Sequence, residues 1–196
     1  MVGEAAAEHG GLDRLIVNAG LGKGGRIGTG RFAANLETAQ TNVLGALVQC
    51  EAAMEHFYDR KAGHLVLISS MSAMRGMPSS MTTYAATKAA VAHLAEGIRM
   101  DLIGRKGLDI KVTTLYPGYI ASEMNEGVDS PKDSAPLRPG RYPQEARLMV
   151  DTETGSRALV GKIEAEVAEA CVPTLPWAPL APVMKHAPLG LVKRLV

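Results

Sequence analysis

Leu65-Val66-Leu67-Ile68-Ser69-Ser70 is followed, after a glycine- and serine-containing link, by Tyr84-Ala85-Ala86-Thr87-Lys88. The first run is short, continuous and rich in β-branched residues, which predicts a parallel strand buried on both faces. In the second, Tyr84 and Lys88 stand four residues apart and so share one face of a helix. Ala85, Ala86, Ala89, Ala90, Val91, Leu94, Ala95 and Ile98 support that helix by propensity or spacing. A serine therefore leaves the carboxyl end of a buried strand, and a helix returns a tyrosine and a lysine toward it. Ligands of open α/β sheets bind at such strand ends. A phenol normally loses its proton near pH ~10, and a neighbouring ammonium lowers that value. Tyr84 can then exchange a proton with an alcohol or carbonyl oxygen near neutral pH, with Ser70 hydrogen-bonded to the same oxygen. A hydride would have to come from a nicotinamide. A bare Y-x-x-x-K is equally compatible with an exposed Tyr and Lys on an ordinary amphipathic helix.

The flanking chain is read in the same way. Glu4 to His9 reads as the end of a helix stopped by Gly10-Gly11, and Leu12 to Val17 as a strand entering Asn18-Ala19-Gly20. Gly22, Gly24, Gly25, Gly28 and Gly30 follow in a loop. No G-x-G-x-x-G there runs from a strand straight into a helix, and no G-K-[ST] occurs, so the loop reads as a flexible connection rather than a phosphate cradle. A long helix is predicted from about Leu36 to Arg60, with Asn35 as N-cap and Leu36, Val43, Leu47, Met54 and Phe57 as its apolar stripe. Asn42 lies inside it, and a mid-helix asparagine calls for a partner or a purpose. Gly63 reads as the stop of this helix. The Tyr84 helix is predicted to reach about Ile103. Asp109 to Leu115 is the next predicted strand, entering Pro117-Gly118-Tyr119-Ile120-Ala121-Ser122. Thr154 is a candidate cap for a helix from Gly155 to about Glu166, before a short strand Ala170-Cys171-Val172.

Taken together, these places resemble the short-chain dehydrogenase/reductase family, in the family's order from Asn18 to Ser122. Asn18-Ala19-Gly20 is similar to its N-A-G. Asn42, Ser70, Tyr84 and Lys88 are similar to its catalytic tetrad. Pro117-Gly118-Tyr119-Ile120-Ala121-Ser122 is similar to its P-G-x-[VI]-x-[TS] loop. Ser70 precedes Tyr84 by one residue more than is usual, and aligning Gly76-x-Pro78 favours Ser70 over Ser69 or Ser72 without excluding Ser72. The resemblance implies an α/β fold, a Rossmann-like doubly wound parallel sheet that is incomplete at the N-terminal side. It implies an NAD(P)-dependent oxidoreductase interconverting an alcohol and a ketone or aldehyde, with NAD or NADP as cofactor. Asn42 would support a water linking the lysine to solvent. Asn18 would brace the sheet, Ala19 and Gly20 would admit the cofactor, Tyr84 and Lys88 would also contact it, and Pro117, Gly118, Ile120 and Ser122 would hold the nicotinamide. The helices of Asn42 and Tyr84 would pair subunits in a homo-oligomer.

Composition sets the outer limits. A length of 196 residues, 46% hydrophobic and 21% charged, fits one globular domain. The net charge of +1 gives no field that recruits nucleic acid. Cys50 and Cys171 match no metal spacing and read as reduced thiols of a cytoplasmic protein. The expected organisation is a partial domain over 1–174, with a substrate lid at 123–151, and an apolar, proline-rich, basic tail at 175–196. That tail holds Trp177, Lys185, Lys193 and Arg194 and no acid. Prolines 173, 176, 179, 182 and 188 forbid one continuous helix. Two readings of it stand open. It packs over the cleft or a neighbouring subunit, burying Trp177, or it makes weak, reversible, peripheral contact with an anionic membrane, consistent with a lipophilic alcohol as substrate.

The family's opening strand, T-G-x-x-x-G-x-G turn and helix are not in this sequence; at ~30 residues per βαβ unit, roughly 70 residues would carry them. The sheet is therefore expected to leave an unpaired edge beside Leu12–Val17, and Met1 is read as a misassigned start. The competing reading is a non-catalytic relic or interaction module that keeps the fold.

Overall fold

The computed structural model describes residues 2–121 and 148–195. Four parallel strands form one sheet in the order β1-β2-β3-β4: β1 Arg14–Val17, β2 Ala62–Ile68, β3 Asp109–Pro117 and β4 Glu169–Val172. Leu15 is in register with Leu65, Leu65 with Val112, and Leu115 with Ala170. The helices are α1 Val2–Glu8, α2 Phe32–Ala39, α3 Gly45–Arg60, α4 Met81–Leu102, α5 Thr152–Glu164, α6 Thr174–His186 and α7 Leu189–Leu195.

The expectation for β2 holds on both faces. Leu65 and Leu67 point toward α3 and α4, where they join Ala46, Cys50, Ala53, Phe57, Val91, Ala95 and Val112. Val66 points to the other face and joins Leu115, Ile163 of α5 and Val172. A continuous apolar run is what a strand covered on both sides requires. β1 forms one edge of the sheet, and Ile16 is exposed there.

Several boundaries differ from the sequence reading, each for a local reason. The helix around Asn42 starts at Phe32, follows Arg31 rather than Asn35, and is interrupted by a π-helical turn at Gln40–Leu44, where Gly45 N–H donates to Gln40 O. Such a turn inserts a residue and shifts the phase of everything beyond it. Of the expected stripe, Leu36 and Leu47 are exposed, while Met54 and Phe57 are buried together with Ala46, Cys50 and Ala53. The left-handed residue that ends α3 is Lys61, with φ 57°, rather than Gly63. Gly63 lies within β2 and serves packing: a Cβ there would come 2.2 Å from the Phe57 ring. The cap of α5 is Asp151, whose carboxylate accepts from Thr154 N at 2.8 Å, one turn earlier than Thr154 itself.

The tail is folded. Two helices, α6 and α7, replace one, and the chain between them is extended at Ala187. Leu175 is non-helical, which puts Pro176 at the start of the helical backbone, where a missing N–H is harmless; Pro179 and Pro182 are accommodated inside α6. Trp177 is 5% exposed and clusters with Met71, Ala92 and Tyr116. Among the described residues, no helix is long and apolar enough to cross a membrane. Both cysteines are free, Cys50 buried and Cys171 half-buried. Most of the expected lid lies outside the described residues.

Candidate active site

The site assembles at the carboxyl ends of β1, β2 and β3. Beyond β2 the ladder continues for one bond, Ser69 N–H to Leu115 O at 2.8 Å, and then the chain turns. Ser70 is extended and caps a short 3₁₀ turn, Met71–Met74, its Oγ accepting from Ser72 N at 3.1 Å. Ser69 is engaged elsewhere: its Oγ donates to Lys88 O at 2.7 Å. Of the adjacent pair, Ser70 is the one whose hydroxyl acts on the Tyr84 phenol, favouring its charged form.

Tyr84 sits in the first turn of α4 and Lys88 one turn later, as their spacing requires. Lys88 is 4% exposed, and its ammonium donates to Ile68 O at 2.9 Å. A Cβ on Gly20 would lie 3.1 Å from Lys88 Nζ, so the glycine lets the lysine head rest against the backbone leaving β1. Burial pushes the Lys88 pKa down to about 8. Burial pushes the Tyr84 pKa up, and the Ser70 hydrogen bond opposes that rise. This differs from the expectation that the ammonium lowers the phenol. Both groups are desolvated, and desolvation disfavours whichever form is charged.

Asn42 is buried in the π turn, and its amide is fully used. Oδ1 accepts from Leu21 N at 2.7 Å; Nδ2 donates to Leu21 O at 3.0 Å and to Thr87 Oγ1 at 2.9 Å. Thr87 Oγ1 in turn donates to Tyr84 O at 2.7 Å. The side chain thus bolts the loop after β1 to the helix that carries Tyr84 and Lys88. Irregular helical turns of this kind recur at functional sites. Asn35 does similar work two turns earlier, its Oδ1 accepting from Gly25 N at 2.8 Å and Thr83 Oγ1 at 3.0 Å. The glycine-rich loop is therefore pinned at two points rather than being a plain flexible link.

At the β1 exit, Asn18 and Ala19 are exposed; among the described residues, no strand pairs outside β1. Pro117 ends β3, and Gly118 N donates to Val172 O at 2.8 Å. Trp177 lies against Gly118 so closely that a Cβ there would meet the indole Nε1 at 2.0 Å. Ile120 bridges to Val150 and packs on Gly155. Ser122 lies outside the described residues. The sequence reading did not single out Thr87, Arg75 or a site role for Asn35. Thr87 was open to it, lying three residues after Tyr84 on the same helical face; the other two act through tertiary contacts that no local pattern announces.

The family comparisons agree with this geometry. The sequence profile of the short chain dehydrogenase family matches residues 1–133. An uncharacterized oxidoreductase of Mycobacterium tuberculosis is 45% identical over 191 residues, which are 97% of this chain and 68% of that protein. A short chain dehydrogenase from Burkholderia cenocepacia J2315, solved in complex with NADP, covers 100% of this chain with 73% of its own, at a TM-score of 0.73 and 22% identity, a likeness of fold. A gluconate 5-dehydrogenase from the same organism, solved with NADP and tartrate, is 28% identical, at a TM-score of 0.58, over 66% of this chain and 49% of its own. With the profile matched over most of its length and a relative this similar along nearly all of it, the chain belongs to the short-chain dehydrogenase family of oxidoreductases.

Proposed function

We propose that the site supplies the proton-transfer machinery of an NAD(P)-dependent oxidoreductase that interconverts an alcohol and a ketone or aldehyde. The observation that carries this is the convergence of Ser70, Tyr84 and Lys88 at the end of β2, with Asn42 tying their helix to the loop after β1. The cofactor, NAD or NADP, would supply the hydride. The residues present fit its nicotinamide end. The Gly20 backbone and the Lys88 head form a cradle that a side chain would fill, and an ammonium has three donors, of which one goes to Ile68 O. Lys88 and Tyr84 would hold the ribose; Asn18, Ala19 and Gly20 would line the approach, and Pro117, Gly118, Ile120 and Ser122 the ring.

In the reducing direction, the neutral Tyr84 phenol gives its proton to the carbonyl oxygen, and Ser70 holds that oxygen. The Lys88 charge, inside a desolvated site, stabilises the phenolate that is left. Lys88 retains its proton below its pKa of about 8 and loses it above. The substrate is a small alcohol or carbonyl compound, and a lipophilic one would accord with the apolar tail.

Assembly belongs to the same proposal. Leu44, Leu47 and Val48 stand exposed on the helix that carries Asn42, with Phe32 and Leu36 before them. A contiguous apolar face of this kind suits an isologous homo-oligomer. On the tail, Leu175, Val183, Leu189 and Leu191 are the exposed apolar residues through which any weak peripheral membrane contact would run.

The deciding experiment is Tyr84→Phe in a form that carries a cofactor-binding glycine turn. Turnover should fall by roughly 10²–10⁴ or more, with the circular dichroism unchanged. Near-normal turnover would remove Tyr84 from the mechanism.

A further inference from the structure

The serines after β2 hold a further relationship. Ser72 is 6% exposed, and its hydroxyl lies 3.0 Å from Ser70 Oγ, in addition to the 3.1 Å bond from its own N–H. A serine hydroxyl offers one donor and two acceptor positions. The Ser72 N–H fills one acceptor position of Ser70. One acceptor position and one proton remain, to be divided between the Ser72 hydroxyl and the oxygen on the Tyr84 side. A phenolate or a carbonyl oxygen can only accept. Ser70 can therefore serve either of them only by donating, and it then has its last lone pair free for the Ser72 O–H.

We propose that Ser72 is a positioning residue, whose O–H donates to Ser70 Oγ and so turns the Ser70 proton toward the reacting oxygen. The hydrogen bonds run one way: Ser72 O–H to Ser70 Oγ, then Ser70 O–H to the phenolate or the substrate oxygen. Donation into Ser70 also polarises its own O–H, since hydrogen bonds in series strengthen one another in a desolvated site. The turn that holds Ser72 is fixed from behind. Met71 and Met74 pack on α6, and the Arg75 guanidinium donates to Lys185 O at 2.5 Å, at the carboxyl end of that helix. The Ser72 hydroxyl thus has a fixed reach to Ser70. The inference rests on the reading of Tyr84 and Ser70 above, and its test uses neither turnover nor cofactor, so the two can fail separately.

The test is a pH titration of the full chain labelled with ¹³Cζ-tyrosine, followed by NMR, with the Tyr84 resonance assigned by its loss in Tyr84→Phe. Ser72→Ala keeps the backbone N–H and removes only the hydroxyl. We expect the Tyr84 titration to move upward by about 0.3–1 pH unit, because the phenolate loses part of its donor. Ser72→Thr, which keeps a hydroxyl, should titrate like the natural chain. In a Ser70→Ala background, Ser72→Ala should produce no further shift. An unmoved Tyr84 in Ser72→Ala, a threonine that behaves like alanine, or an equal shift with Ser70 absent would each overturn the proposal. Should Ser72→Ala fail to fold, Ser72→Cys, a weak donor of similar size, carries the same comparison, with an upward shift expected and none overturning it.

Discussion

Lys88 Nζ lies 5.9 Å from the centroid of the Tyr84 ring while its ammonium bonds to Ile68 O. The pair is adjacent without being an ion pair, and both members are held against their charged forms by burial. A lysine buried in this way weakens the fold. The folded chain holds this proton with a pKa of about 8, against 10.5 for a free lysine. Between those values the unfolded chain binds a proton that the folded chain does not, so stability rises with pH across that window. Below pH 8 the whole penalty is present. Lys88→Met should therefore stabilise the ligand-free chain at pH 7, on the order of 1–2 kcal/mol after the lost Ile68 bond is subtracted. Urea unfolding at pH 7 and pH 9.5 checks it: the natural chain should gain over that interval and the variant should gain less. A variant less stable than the natural chain at pH 7 would contradict this account.

A second titratable group lies at the opposite end of the strands. His64 is buried; Arg14 Nε donates to its Nδ1 at 2.9 Å, and its Nε2 lies 2.9 Å from Thr113 Oγ1. Thr113 Oγ1 donates to Val167 O at 2.6 Å, so it accepts from His64, which fixes the neutral Nε2–H tautomer. Burial and then the Arg14 charge hold the His64 pKa below 6.5, with Lys111 adding to that and Glu166 and Glu164 opposing it. The unfolded histidine takes up its proton first as pH falls, so stability should decline below about pH 6.5. His64→Gln should flatten that decline in urea melts at pH 7, 6 and 5. Parallel curves for the two chains would show that His64 does not carry it.

How far the sequence could be read follows from where the information lies. β2, the Tyr84 helix and the strand entering Pro117 were legible because burial on both faces leaves an unbroken apolar run and because a four-residue spacing defines a helix face. The Leu36–Arg60 helix and its buried Met54 and Phe57 were legible, but the π turn at Gln40–Leu44 within it has no sequence signature. Lys61 ends α3 in a conformation that pattern rules reserve for glycine or asparagine. At the site, residue types gave the chemistry; the sign of the Tyr84 shift depends on desolvation, which only the packed structure supplies.

The exposed apolar residues of the helix that carries Asn42 have a consequence for assembly. Val48 is 67% exposed, and Leu44 and Leu47 stand beside it. A pair of charges there would oppose the proposed subunit contact without touching the core. Leu47→Glu with Val48→Glu should convert a homo-oligomer to a monomer by light scattering, with an unchanged far-ultraviolet spectrum. An unaltered mass would place the interface elsewhere.

Trp177 is the sole tryptophan, so its emission reports on the tail alone. Its indole fits over Gly118, where a Cβ would meet Nε1 at 2.0 Å, with the Tyr119 ring edge-on at 5.5 Å. The indole is rigid and is held by Met71, Ala92 and Tyr116, so it has no easy way to yield. Gly118→Ala should destabilise the chain by about 1–3 kcal/mol and shift the emission to the red as the tail lifts. The natural chain should emit in the blue without lipid, because Trp177 is buried. Anionic vesicles should leave that emission unchanged, since the apolar residues facing outward are Leu175, Val183, Leu189 and Leu191. Flotation with such vesicles, compared with a chain ending at Thr174, separates the two roles of the tail. Equal flotation would remove the membrane contact and leave the packing over Gly118 standing. A vesicle-induced red shift, or a Gly118→Ala chain with unaltered melting and emission, would instead remove the packing.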